Sequence, residues 1–194
     1  TLNNLPDSTW TFVEARTVKQ QSNERDTEYP RLSFRDAAGQ YRDSLAAKGL
    51  VMAISVPEPG RMKKRTWEET SRLIGDAAEA GFTPLLLVAS EPASFSTMIA
   101  GEQLPQSVSM SILTSVYYSD YKTLVSLNRS NGGAVYFNDG NLISKWAARN
   151  LPSQRKIGKL VRQDSTEVML DADGKGRMAF EAFMLYMLVL LLVL

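Results

Sequence analysis

Two uninterrupted apolar runs set the frame of this chain. Residues 50–56 (LVMAISV) and 83–89 (TPLLLVA) contain no charged side chain. Strands buried on both faces read this way, and they belong to parallel sheets covered by helices. Pro57-Glu58-Pro59-Gly60 stops the first run. The segment between the runs predicts one helix. Thr66 stands three residues before Glu69, the spacing of a capping box. Trp67, Thr70, Leu73, Ile74 and Ala77 then recur on one face up to about Ala80, and Gly81 ends the pattern.

A second signal lies at residues 128–146. The runs 134–137 and 141–146 flank Asn138-Asp139-Gly140, and Asp-Gly between two such runs is a strong hairpin signal. Asn131-Gly132-Gly133 precedes the first hairpin strand and frees the backbone for positive φ. The remaining elements are shorter. Residues 10–13 and 32–34 are strand candidates, with a polar excursion over 14–29 between them. A turn at 36–39 leads to a short helical piece over 41–47. Ser90-Glu91-Pro92 opens a helix over 93–99. One of the apolar pieces 108–113 and 116–118 is the third strand, and Asp120 caps a helix over 122–128. The order is then β-α-β-α-β-α-β-β. This predicts an α/β fold, a three-layer α/β/α sandwich with a mixed sheet in the thioredoxin layout, followed by a C-terminal hydrophobic helix. The expected domains are residues 1–160, a polar linker over 161–177, and an apolar segment over 178–194.

That last segment is broken only by Glu181 and is apolar on all sides, with no amphipathic period. It is shorter than the about 20 residues a bilayer span needs. The expectation is a truncated transmembrane helix that attaches the protein to a membrane. A C-terminal helix packed in the core is the alternative. The chain opens on Thr1 with no signal peptide, so it reads as a segment or a processed product of something longer.

Chemistry is bounded by what the sequence lacks. It has no His and no Cys. That removes Ser-His-Asp and Cys-His catalysis, dithiol exchange and nearly all zinc, copper and haem ligation. With 22 basic against 21 acidic residues there is no field for nucleic acid. Asp171-Ala172-Asp173-Gly174 opens like a calcium loop, but its twelfth position is Ala182, which offers no ligand. Glu68 and Glu69 are adjacent on a helix and face different ways, so they form no acid/base pair. Tyr117, Tyr118 and Tyr121 read as core and rim. No catalytic residue, cofactor or metal ligand is expected.

Two stretches remain as candidate ligand or peptide-binding positions. Pro57, Glu58 and Arg61 follow the first buried strand and precede its helix. In a thioredoxin layout a Cys-x-x-Cys pair would stand there, its thiolate stabilised by the helix N-terminus. What remains is anion or peptide binding with Arg61, Lys63, Lys64 and Arg65, or a solvated basic turn. Asn131, Gly132 and Gly133 stand where thioredoxins carry a cis-proline that keeps a backbone edge open to extended peptide. A glycine-rich entry into a strand is the plainer reading.

Several pieces taken in order resemble one family. They are Leu5-Pro6-Asp7-Ser8-Thr9-Trp10-Thr11-Phe12-Val13, Tyr41-Arg42-Asp43-Ser44-Leu45-Ala46-Ala47-Lys48-Gly49, Ala53-Ile54-Ser55-Val56, and Lys122-Thr123-Leu124 through Arg129-Ser130-Asn131-Gly132-Gly133 and Asp139-Gly140 to Ile143-Ser144-Lys145-Trp146. Together they resemble the C-terminal thioredoxin-like region of DoxX-like membrane proteins of certain Gram-negative anaerobes. In that family, transmembrane helices precede an extracytoplasmic thioredoxin-like domain and a last membrane helix follows. The family commonly shows Asn-Pro-Gly where this chain has Asn131-Gly132-Gly133. The resemblance implies a thioredoxin-like domain on the periplasmic side of the inner membrane, and the absence of Cys makes the expected domain redox-inactive. It would serve as a binding or scaffolding module for a membrane-protein partner or for upstream helices of its own chain. The rival expectation is a component of a thiol-redox or peroxide-handling membrane system whose reactive group lies on another chain or on a missing part of this one.

Overall fold

The computed structural model describes residues 32–163 together with Val168 and Leu185, all within a unit spanning residues 31–194. The expected strand at 10–13, the excursion over 14–29, and most of the linker and apolar segment lie outside the described residues. Among the described residues, no helix is long and apolar enough to cross a membrane.

Five strands form one mixed sheet. They are β1 (Leu50–Val56), β2 (Thr83–Val88), β3 (Val116–Tyr118), β4 (Gly133–Asn138) and β5 (Asn141–Trp146), in the spatial order β3-β2-β1-β4-β5. The two apolar runs are adjacent and parallel, paired from Val51 opposite Thr83 to Val56 opposite Val88. β3 runs parallel to β2, while β4 runs antiparallel to β1 and to β5. Asp139 and Gly140 turn the hairpin with φ of 47° and 77°. The positive values match the twist of the flanking strands. A bulge between Tyr136 and Phe137 shifts the β4–β5 register, so that Ser144 faces Tyr136 and Leu142 faces Phe137.

Helices cover both faces. They are α1 (Lys64–Glu79), α2 (Pro92–Gly101), α3 (Gln106–Ser115), α4 (Tyr121–Leu127) and α5 (Gln154–Leu160). Alternation along β1 divides the core in two. Met52, Ile54 and Val56 point into a cluster with Trp67, Leu73, Ile74 and Ala77 of α1, Phe95 and Ile99 of α2, Ile112 of α3, and Ile157 and Leu160 of α5. Val51 and Ala53 point the other way, to Leu124 and Leu127 of α4, with Phe34 and Ala46. Trp67 and Phe95 meet edge to face at 5.9 Å, as do Phe82 and Tyr136 at 5.2 Å.

Two local expectations, a strand at 32–34 and a cap at Thr66, are corrected. Residues 32–34 form no strand; the segment touches the sheet edge through Arg35, whose backbone exchanges hydrogen bonds with Tyr118 at 2.9 and 2.8 Å. Of the two candidates for the third strand, 116–118 is the strand, and 106–115 is helix, which follows Pro105 and buries Ile112 against α1. The helix after β1 begins at Lys64 with Lys63 at its N-cap and no side-chain cap. Glu69 pairs instead with Arg65 at 2.9 Å. Between Trp146 and residue 161, where the sequence had suggested no element, lies α5, whose signal is Ile157 and Leu160 at helical spacing behind Pro152-Ser153. The expected cap at Asp120 is present: its carboxylate accepts the Thr123 amide at 2.9 Å.

The fully buried Ile54 lies in the central strand, whereas Tyr41 is 73% exposed. Ile54→Ala is expected to lower stability by about 2–5 kcal/mol, and Tyr41→Ala to change it by less than about 0.5 kcal/mol. Chemical denaturation of the purified chain, followed by tryptophan fluorescence, checks both. Similar midpoints for the two variants would contradict the burial described.

Candidate functional site

The parallel and antiparallel pairings bring particular loops together. The ends of β1, β2, β3 and β5 and the start of β4 all lie at one end of the sheet. The loop leaving β1 feeds α1 on one face, while the loop entering β4 arrives from α4 on the other. Open α/β sheets form their crevices at such divergences. The six residues singled out in the sequence meet here.

Asn131 makes the junction. Its Nδ2 donates to the Glu58 carbonyl at 2.7 Å, and its Oδ1 accepts the Glu58 amide at 3.0 Å. One side-chain amide thus completes the backbone hydrogen bonding of the residue after Pro57, much as a neighbouring strand would. The Gly132 amide donates to the Ser55 carbonyl at 2.8 Å, which continues the β1–β4 contact past the last ladder pair. Pro57, Gly132 and Gly133 are buried, Glu58 and Asn131 are half-buried, and Arg61 is exposed. Arg61 Nη1 lies 2.6 Å from Glu58 Oε2, and the Tyr121 hydroxyl lies 3.5 Å from Glu58 Oε1. The Glu58 carboxylate raises the Arg61 pKa, chiefly through their hydrogen bond.

Both glycines are required by space. Gly132 has φ of 83°, and a Cβ there would stand 3.2 Å from Met62 Sδ and Thr66 Cγ2. The Thr66 methyl faces the glycine loop, and the start of α1 is bare because its N-cap, Lys63, has no side-chain oxygen to accept the first amides. At Gly133 a Cβ would come within 2.6 Å of Asn128 Nδ2 and 2.8 Å of the Trp146 carbonyl. Asn128 was not singled out from the sequence, yet it fastens the hairpin. Its Nδ2 donates to the Ala134 carbonyl at 3.2 Å and the Trp146 carbonyl at 3.0 Å, and its Oδ1 accepts the Ser130 amide at 3.0 Å. Ser130 Oγ in turn accepts the Ala148 amide at 2.8 Å. The Asn-x-Ser-Asn spacing was the available signal, because short polar side chains beside a turn bond local backbone.

Chemically, this end offers an arginine, a carboxylate, a phenol and the start of α1. The Thr66 and Trp67 amides both donate to the Lys63 carbonyl, which leaves the Lys64 and Arg65 amides without intrahelical acceptors. Among the described residues no carboxylate cluster is placed to hold a metal ion. The arrangement suits binding of a polar or anionic group. Protein-family models, curated proteins and solved structures give no match to the chain.

Gly133→Ala is expected to destabilise by about 1–3 kcal/mol through overpacking against Asn128. Gly60→Ala meets nothing within 4 Å, and is expected to be neutral or to stabilise by up to about 1 kcal/mol. Thermal melts of the two variants check the contrast; equal losses would refute the close approach at Gly133. A pH dependence also follows. Asp120 is held below the ordinary aspartate range, first by the Thr123 hydroxyl and then by the Thr123 amide. Asp36 is held low first by its hydrogen bond to Arg42. A lowered folded-state pKa adds stability above the unfolded pKa, and that stability is lost as pH falls through the folded value. Stability should therefore fall below about pH 4. Asp120→Asn, which keeps a capping oxygen but cannot ionise, should show a smaller loss over that window. An unchanged acid limb in this variant would remove Asp120 from the account.

Proposed function

We propose that this chain is a thioredoxin-like domain without redox chemistry, attached by its apolar C-terminal segment to the inner membrane and lying on the periplasmic side. It works there as a binding or scaffolding module for a membrane-protein partner or for helices of its own chain. The mixed sheet with helices on both faces, and a parallel β-α-β unit followed by an antiparallel hairpin, are compatible with the thioredoxin arrangement. The observation that carries the reading is the Glu58–Asn131 junction. Thiol enzymes of that layout keep a reactive sulfur after the first central strand, with an open backbone edge opposite. Here Pro57, Glu58 and Arg61 hold no nucleophilic sulfur, and Asn131 ties the two loops together. A scaffold of this kind presents a fixed surface.

The test has two arms. Expressed in a Gram-negative host, the chain should sediment with inner membranes and resist alkaline carbonate extraction. In detergent, the purified protein should reduce insulin disulfides and peroxide no faster than a protein-free blank. Recovery of the chain in the detergent-free soluble fraction would overturn the membrane attachment. Turnover above the blank that follows the protein through a second purification would overturn the redox-inactive reading.

A further inference from the structure

The candidate end of the sheet carries an uneven charge that the near-neutral total conceals. Arg61, Lys63, Lys122, Arg129 and Arg149 are all exposed there. Each is, or adjoins in sequence, a residue that contacts tie to this end. Arg61 holds Glu58, which is joined to Asn131. Ser130, next to Arg129, accepts the Ala148 amide beside Arg149. Gly132 lies against Met62, next to Lys63, and Tyr121, next to Lys122, reaches Glu58. Among the described residues Lys63, Lys122, Arg129 and Arg149 have no ion-pair or side-chain hydrogen-bond partner. The acids Glu58, Glu91 and Asp120 stand among them. Glu91 lies 3.4 Å from Arg35, Asp120 caps α4, and Glu58 is held by Arg61.

We propose that this surface docks an acidic segment of a partner protein, and that Glu58 is its internal competitor, occupying Arg61 until a partner carboxylate replaces it. The inference rests on the binding-module reading above and names the chemistry of the partner. Charge complementarity argues for protein over the other polyanions. A phosphate backbone presents closely spaced like charges and favours a continuous basic track. Here Glu58, Glu91 and Asp120 interrupt the track, and a protein segment that spaces its carboxylates can avoid them. The Glu58 side chain keeps 35% of its exposure, so it can swing away from Arg61 without leaving a buried charge unpaired.

The probe is a fluorescein-labelled octaglutamate peptide, titrated with the chain 1–194 in neutral detergent and read by anisotropy. Octaserine and vesicles of phosphatidylglycerol serve as comparisons. Octaglutamate should bind, octaserine should not, and raising salt from 50 to 300 mM should weaken binding severalfold. Arg129→Glu with Arg149→Glu should weaken it about tenfold. Both side chains are exposed and unpaired, and the circular dichroism and melting temperature of the double variant confirm that it folds. Glu58→Gln should tighten binding about threefold, an effect that a non-specific basic surface would not give through Arg61 alone, so Glu58→Gln with Arg61→Gln should lose the gain. Octaglutamate binding no tighter than octaserine, or binding indifferent to the Arg129 and Arg149 reversals, overturns the proposal. Charge-dependent binding to the vesicles without binding to the peptide also overturns it, in favour of a lipid surface. No gain for Glu58→Gln removes the competitor role. A chain that is membrane-attached and redox-inactive yet ignores the peptide leaves the module reading standing and defeats only this inference. A chain that is soluble or redox-active defeats the module reading whatever the peptide does.

Discussion

The structure turns on a serine in a strand that has no room for an unpaired hydroxyl. Ser55 is fully buried in β1, between two apolar cores. A buried hydroxyl without a partner costs of order 1–3 kcal/mol, a cost that Ser55 avoids. Ser55 Oγ donates to the Leu124 carbonyl at 3.0 Å, which fixes α4 against the central strand. The Ser55 carbonyl accepts the Gly132 amide. One residue thereby sets where α4 ends and where the loop into β4 begins. Asn128, whose amide closes α4 on the Leu124 carbonyl, then reaches across to Trp146. The placement of Asn131 opposite Glu58 follows from these constraints.

The same end shows how local pairing and overall charge can diverge. A net charge of +1 over 194 residues suggests little electrostatic character. Strand direction sorts the charged loops, however, and the parallel pair β1–β2 together with the antiparallel hairpin sends several basic loops to one end. Exposed ion pairs contribute little to stability. The Arg61–Glu58 pair is therefore better understood as a setting of local potential than as a brace. The brace is the neutral amide of Asn131.

Much of the sheet was legible from residue patterns. The continuous apolar runs at 50–56 and 83–89 specified two-sided burial, and Asp139-Gly140 specified its turn, because these signals are local. The start of α1 was not legible. A capping box at Thr66 is a local preference, and the helix instead begins two residues earlier, with the Thr66 methyl against Gly132, which lies far away in sequence. The helix at 106–115 was ambiguous for a similar reason: short apolar runs read alike for strand and helix until a partner surface is known. Pro57, Glu58, Arg61, Asn131, Gly132 and Gly133 were found as two separate stretches, and the structure joins them. Asn128 and Arg149 were missed, and Tyr121 was read only as core or rim, because their relation depends on register and on the path of the chain after β5, neither of which is written in any one segment.

The β1–β4 seam is fastened at both ends. At the far end the Asp139 amide donates to the Gly49 carbonyl at 3.0 Å, and the Gly49 amide returns a bond to Asp139 Oδ1 at 2.8 Å. At the near end Asn131 performs the matching exchange with Glu58. A loop fixed in this way has already lost its conformational freedom on folding. Whatever it meets forfeits little ordering entropy on its account, and association would proceed by near-rigid docking, with selectivity set by shape and charge. For any molecule that docks there, the loop would be a template, and adaptation would fall to that molecule.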